Sequence, residues 1–385
     1  MIFIQFLELT LIGAASGVCI LLIALFVLRG TRSNIFIIVF FSSNLINLTD
    51  EFLWRTELVK SLPWVVNLYI PFLYLMAPSF YLYVKSLTQK NVDIRWRNTH
   101  WLSIIVGTLL CLPYYFLDPS IKVERLNIAT DPVTHLGIFT FGPEFALILL
   151  LLVVITYIIL MLKLLNENLI NLKSYFSNIE NKDLSWIRWS VVLLVCSASL
   201  SAVLLFMPSS IADSWEIRIF NLLFELSWLV LIGAMAVDQK PIQMTTKNKN
   251  KLKGVPSNVQ KKKYARSGVN DNDLERLGLK IETCITLNKL HLDPDLTLRK
   301  LSIETGISET LISQVLNTFF CLGFYDFINK LRIDYAIELM KKSDDTLLII
   351  AMDSGFNSRS TFNLAFKKHK SETPSQFRRT LKQLR

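Results

Sequence analysis

Seven long apolar stretches fill most of the first 239 residues and restrict this chain more than any other feature. They run over 6–28, 34–54, 62–84, 100–117, 138–164, 186–207 and 215–237. Most of them reach the ~20 residues that an α-helix needs to cross the hydrocarbon core of a bilayer. A water-soluble fold has no means of burying that much apolar chain. Across all 385 residues, 52% are hydrophobic and the mean hydropathy is +0.41. The expectation for residues 1–239 is therefore a seven-helix transmembrane bundle. The opening run is expected to be a span and not a cleaved leader, because residues 1–5 carry no basic side chain and Arg29 and Arg32 follow the run.

Orientation follows from where lysine and arginine lie in the connections. With the N-terminus outside, the inner connections hold Arg29 and Arg32, then Lys85, Lys90, Arg95 and Arg97, then Lys163, Lys173 and Lys182. The outer ones hold only Arg55 and Lys60, then Lys122 and Arg125. An odd number of spans leaves the C-terminal part in the cytoplasm. The expected location is a bacterial inner membrane, crossed several times.

Polar residues inside such runs are costly, and they usually face the interior of a bundle. Asn44, Asn47 and Glu51 fall at i, i+3 and i+7 of the second run. Arg218, Asn221 and Glu225 repeat that spacing in the seventh, and Glu144 stands near the start of the fifth. Two readings are open here. These residues line a polar sensor pocket, or they only tie helices together through hydrogen bonds and an Arg–Glu pair.

Residues 240–270 carry nine basic side chains and no acidic one, broken by Pro241 and Pro256. Such a composition cannot build a core, so a disordered basic linker is expected. Its charge suits anionic lipid or the phosphates of DNA, or serves simply as a positive-inside signal.

From residue 271 to 385 helical periodicity returns in a soluble register. The clearest stretch is 347–368. A short apolar helix capped by Thr346 ends at Gly355, and a second helix restarts behind Ser358. Ala351 and Gly355 are four apart, as in a helix-turn-helix, where a small residue permits close approach and glycine supplies the turn. In the second helix Phe362, Ala365 and Phe366 can pack inward. Ser358, Arg359, Asn363 and Lys367 are left outside, suited to phosphates and base edges. A second copy lies upstream, with Thr297 as a cap, Ser302 and Gly306 at an offset of 49, and Ile312 and Leu316 at an offset of 50. One long helix over 324–340 joins the copies. The chain closes with Thr373-Pro374, a cap followed by proline at the first helical position.

The two units, the joining helix and the segments Gly355-Phe356 and Pro374-Ser375-Gln376-Phe377-Arg378 strongly resemble the DNA-binding domain of the AraC/XylS family over 274–384. The resemblance implies an all-helical double helix-turn-helix module that places two recognition helices in successive major-groove segments. Carried onto this sequence, it implies base readers among Ser308, Glu309, Thr310, Ser313, Gln314 and Asn317 in the first unit. In the second it implies Asn357, Ser358, Arg359, Ser360, Asn363 and Lys367. Two departures stand out: Ser302 replaces an alanine, and Phe319-Phe320-Cys321 replaces a turn that usually contains glycine. Residues 78–85 are also similar to seven-span AraC-type regulators, with Ala77-Pro78 in place of Gly-Pro.

The expected whole is all-α: a seven-span sensor bundle (1–239), a basic linker (240–270) and a double helix-turn-helix domain (271–385). It would act as a one-component transcription factor held in the membrane. Lys330, Arg332, Lys368, Lys370, Arg378 and Arg379 are expected on phosphates. The expected partners are double-stranded DNA, membrane lipid, a small-molecule or protein signal, a second copy of the chain, and RNA polymerase if the protein activates. The alternative is a transporter or receptor with a regulatory tail. The sequence offers no phosphate-binding glycine loop and no metal-spaced histidine set, and its five cysteines have no ligand spacing, so neither enzyme chemistry nor a cofactor or metal is expected.

Overall fold

The fold is that of a computed structural model, which describes residues 2–31, 33–88, 99–122, 142–180, 182, 184–205, 207, 214–239 and 271–383. The linker expected at 240–270 lies outside the described residues, as do Arg32, Lys90, Arg95, Arg97 and Arg125. Contacts divide the chain into two compact units. One comprises Met1–Leu165 and Ser185–Met244, the other Asn166–Leu184 and Thr245–Arg385. The described residues are helical throughout apart from turns and one isolated antiparallel bridge, Phe176 to Thr297.

Each apolar run of the first unit forms a helix: α1 (Ile2–Arg29), α2 (Asn34–Arg55), α3 (Ile70–Thr88), α4 (Leu102–Tyr115), α5 (Gly142–Tyr175), α6 (Ser185–Leu205) and α7 (Trp215–Asp238). Hydrogen bonds between them show that successive helices alternate in direction. Glu8 at the start of α1 meets Arg55 at the end of α2 and Arg218 at the start of α7. Arg29, closing α1, donates to the carbonyl of Val237, which closes α7. Tyr74 near the start of α3 donates to Ala146 O near the start of α5, 2.5 Å away, so these two run parallel. Between them α4 runs back: His100, just before it, packs on Tyr81 of α3, and Tyr115 at its end donates to Asn67 O, just before α3, at 3.0 Å. Trp186 at the start of α6 donates to Gln239 beyond the end of α7.

Five of these helices are long and apolar enough to cross a membrane: α1, α2, α3 with its preceding turn, α5 and α7. Of the seven expected spans, five reach spanning length among the described residues. Helix α4 has 14 residues and stops two residues after Pro113, and the apolar part of α6 covers only Ser185–Ser197. Helix α5 is nearly bare on its outer side, with Leu152, Ile155 and Ile159 all exposed.

The second unit contains α8 (Asp271–Leu287), α9 (Leu298–Thr305), α10 (Glu309–Thr318), α11 (Phe324–Lys342), α12 (Leu347–Asp353), α13 (Arg359–Lys370) and α14 (Pro374–Gln383). It has two cores, and α11 is the strut shared by both. Phe324, Phe327 and Ile328 join the core around Ile281, Leu301 and Leu316. Ile333, Ala336 and Met340 join the core around Ile350, Phe362 and Phe366. Residues 166–184, read from the sequence as a connection within the bundle, pack here: Ser177 N–H donates to Leu296 O at 3.1 Å, and Tyr175 lies against the first core.

Candidate nucleic-acid interface

Each helix-turn-helix forms for local reasons that its residues make plain. In the second unit, Thr346 Oγ1 accepts from Ile349 N–H and Ser358 Oγ accepts from Thr361 N–H, which caps α12 and α13. Between them Gly355 takes φ +84, in the left-handed region. A β-carbon there would also come within 2.8 Å of the carbonyl oxygens of both His291 and Leu292. Glycine is thus required at Gly355 twice over, by backbone angle and by close approach. Phe356, Phe362 and Phe366 interlock behind the turn, with ring centroids 5.4 and 5.7 Å apart.

The first unit has the same frame with one substitution resolved. Ser302 occupies the small-residue position, and its hydroxyl donates to Ile307 O at 2.6 Å, bracing the turn that an alanine would leave to packing alone. Gly306 takes φ +69 with open space where a β-carbon would stand. Ser308 caps α10 by accepting from Leu311 N–H. The turn after α10 manages without glycine because Cys321 itself adopts φ +53.

Sorting the expected readers by exposure divides them. In the second unit Asn357, Arg359, Ser360, Asn363 and Lys367 are exposed and Ser358 is half-buried, while Phe362, Ala365 and Phe366 are buried. The sequence reading passed over Leu364, which is 71% exposed among these polar side chains. An apolar residue standing out on an otherwise polar helix face was the signal. In the first unit Ser308 and Thr310 are exposed, and Glu309, Ser313 and Asn317 are half-buried. Asn317 turns back on its own helix and donates to Ser313 O at 2.7 Å. Gln314 is a correction: it is buried, lying between Ile312 and Val315 on the inward side of α10, and is not presented to a groove.

Arg332 is the larger correction. It was expected on a phosphate, but it is 1% exposed. Its Nε donates to His291 O at 2.7 Å and its Nη2 to Asp293 O at 2.8 Å. Nη1 and Nη2 reach Ser177 O at 3.1 Å and Ser177 Oγ at 3.0 Å, and Nη1 also reaches Asn329 Oδ1 at 3.2 Å. Burial pulls the guanidinium down to about 10, which still leaves it charged at neutral pH. Arg332 is therefore a central tie joining α11, the loop after α8 and the 166–184 segment.

Among the other expected phosphate contacts, Lys330 and Arg379 are exposed and Arg378 is half-buried. Lys368 and Lys370 are exposed but lean on α11, pairing with Asp326 at 2.6 Å and Asp334 at 3.1 Å.

The proposed sensor residues separate into two groups. Asn44, Asn47 and Glu225 come together on one cavity of the first unit. The pair expected of Arg218 is formed with Glu8, at 2.8 Å, and Glu51 bonds Arg55 at 3.0 Å. Glu144 and Asn221 are half-buried and are not among the residues lining that cavity. Glu8 escaped notice in the sequence, although a lone carboxylate inside an apolar run is itself a signal.

The fold and these turns define a double helix-turn-helix module. Residues 301–380 match the family model described as a helix-turn-helix domain, which is of AraC type. An uncharacterized HTH-type transcriptional regulator of Staphylococcus aureus (strain COL) is 36% identical over 90 residues, covering 23% of this chain and 12% of that protein. The probable transcription factor PqrA of Proteus vulgaris is 31% identical over 75 residues, covering 20% of this chain and 62% of that one. A solved structure of a protein of unknown function from Listeria innocua is 29% identical, covers 26% of this chain and 95% of its own, and has a TM-score of 0.23. The chain thus spans about an eighth of the length of the staphylococcal relatives it matches.

Proposed function

We propose that this protein is a transcription regulator held in a membrane, which binds promoter DNA through its two helix-turn-helix units and senses a signal through its helical bundle. The observation that carries the reading is the outer face of α13. Within a segment matching a helix-turn-helix domain, a helix fixed by a serine cap and three buried rings or methyls presents Arg359, Ser360, Asn363 and Lys367 to solvent. Arginine and asparagine are the side chains suited to bidentate contact with guanine and adenine in the major groove. Ser308, Thr310 and Ser313 on α10 supply the second reader, with Glu309 and Asn317 beside them. Lys330, Lys368, Lys370, Arg378 and Arg379 supply phosphate contacts, the two paired lysines exchanging Asp326 and Asp334 for DNA oxygens. Regulators among the relatives support the same reading.

On this reading all seven helices of the first unit cross an inner membrane, with the N-terminus outside. Helix α4 is short, but it runs antiparallel to α3, as alternation requires. For α6 the argument is topological. Residues 166–184 pack within the same unit as residues 245–385, so both must lie on one side of the bilayer. An even number of crossings must separate them. With α7 of spanning length, a crossing by α6 keeps that count even.

The test uses the full-length chain in lipid nanodiscs, mixed with sheared genomic DNA at moderate salt. The expected result is retention of a small set of fragments sharing a sequence, lost on Arg359→Ala. Retention that follows fragment length alone would contradict DNA recognition.

A further inference from the structure

We propose that the cavity inside the seven-helix unit binds an amphipathic organic cation, with the ammonium held by Glu225 and the hydrocarbon body lying along α5. This deepens the proposed reading of the bundle as a sensor and rests on it for its biological meaning. The cavity has a volume of about 410 Å³, within the range of small-molecule sites.

One wall is hydrocarbon, contributed by Leu147, Leu150, Leu151, Val154, Ile158 and Met161 of α5. Polar groups enter from α2 and α7. Glu225 of α7 and Asn47 of α2 both line the space, and neither makes a hydrogen bond or ion pair with any described residue. The arginine two turns before Glu225 cannot neutralise it, because Arg218 is engaged with Glu8 at 2.8 Å. Glu8 also takes Arg55, at 3.7 Å. A carboxylate left in an apolar cavity without a counter-charge is costly, and ionisable residues within spanning helices mark substrate and ion sites.

Aromatic side chains complete the cage. Trp228 is on α7, as Glu225 is, and packs against Phe40 at 6.0 Å, with Phe80 behind at 5.2 Å from Phe40. All three line the cavity. The indole N–H of Trp228 is buried and has no hydrogen-bond partner in the described structure. Aromatic faces beside a carboxylate are the setting that holds organic ammonium groups. A bare metal ion fits poorly, since hard cations ask for six or more oxygen ligands and most of this lining is carbon. A neutral or anionic amphiphile would leave Glu225 uncompensated.

The experiment is calorimetric titration of octyltrimethylammonium into the full-length chain in dodecylmaltoside, against empty micelles. Octanol and octyl sulfate serve as the neutral and anionic comparisons. The expected result is saturable binding of the cation at one site, at least tenfold tighter than either comparison. That preference should fall tenfold or more in Glu225→Gln and be largely kept in Glu225→Asp, while Leu150→Trp, which fills the cavity, should abolish binding. Uptake no greater than by empty micelles, equal binding of octanol, or a preference unchanged in Glu225→Gln would overturn the assignment. Sequence-selective DNA retention by the unmodified chain is scored on the same preparation. Its failure with intact cation binding would remove the proposed regulator and leave the cavity assignment standing; the reverse result would do the opposite.

Discussion

Single residues carry sharply unequal weight in the second unit, and the two turn glycines show it. Both take positive φ, which costs another residue about 1–2 kcal/mol. Only at Gly355 would an added methyl also meet two backbone oxygens, at 2.8 Å. Gly355→Ala should therefore destabilise the unit by roughly 1–3 kcal/mol more than Gly306→Ala, read as amide exchange in α12 and α13. Arg332 is a second such point. Arg332→Leu strands the carbonyls of His291, Asp293 and Ser177 and should cost about 1–3 kcal/mol for each one left unsatisfied. Lysine should not rescue it, since one ammonium cannot reproduce a fork that serves three chain segments. Two histidines, His291 buried and His369 half-buried, add a pH dependence. Burial holds both His291 and His369 below the ordinary histidine range, the neighbouring Arg332 assisting at His291 and the Ile285 carbonyl opposing there. Unfolding releases them to about 6.5. Below that pH the unfolded chain binds protons that the folded one refuses, so stability is present at pH 7 and declines toward pH 5. Amide exchange in α8 and α13, corrected for intrinsic rates, should rise over that interval; constant protection would contradict this.

At the scale of elements, legibility followed distance along the chain. Helix caps at Thr297, Ser308, Thr346 and Ser358 act three residues away, and the small-residue-to-glycine spacing acts over four, so both helix-turn-helix units were readable. The apolar runs were readable for the same reason, although hydropathy overstated how many are long enough to span. What escaped was long-range pairing. Arg332 looked like a surface cation of a long helix because its partner Ser177 is 155 residues away. Glu8 and Arg218 are 210 apart, and no window of sequence joins them. Gln314 failed for a different reason, since α10 is buried over adjacent positions and leaves a narrower outer face than its periodicity suggests. The 166–184 segment is the element most in need of a test. Ser177→Ala removes a hydroxyl bonded to a buried guanidinium, and such bonds are worth about 1.5–3 kcal/mol. Faster exchange in α11 and around His291 is expected, and unchanged protection there would show that the segment does not brace the module.

At the scale of the whole molecule, the proposed function pairs a helical bundle with five helices of spanning length with a helix-turn-helix module that would read DNA. On that proposal a signal changes the bundle and, through it, DNA binding. Any ligand doing so must bind two states of the bundle unequally. In the proposed complex α10 and α13 both enter the groove of one duplex. Hydroxyl-radical footprinting of a selected fragment, bound by the full-length chain in nanodiscs, tests it most directly. Two protected windows on one face of the DNA, about one helical turn or 10 base pairs apart, are expected, the window of the second unit fading in Arg359→Ala. A single window insensitive to Arg359, or uniform protection along the fragment, would contradict the account.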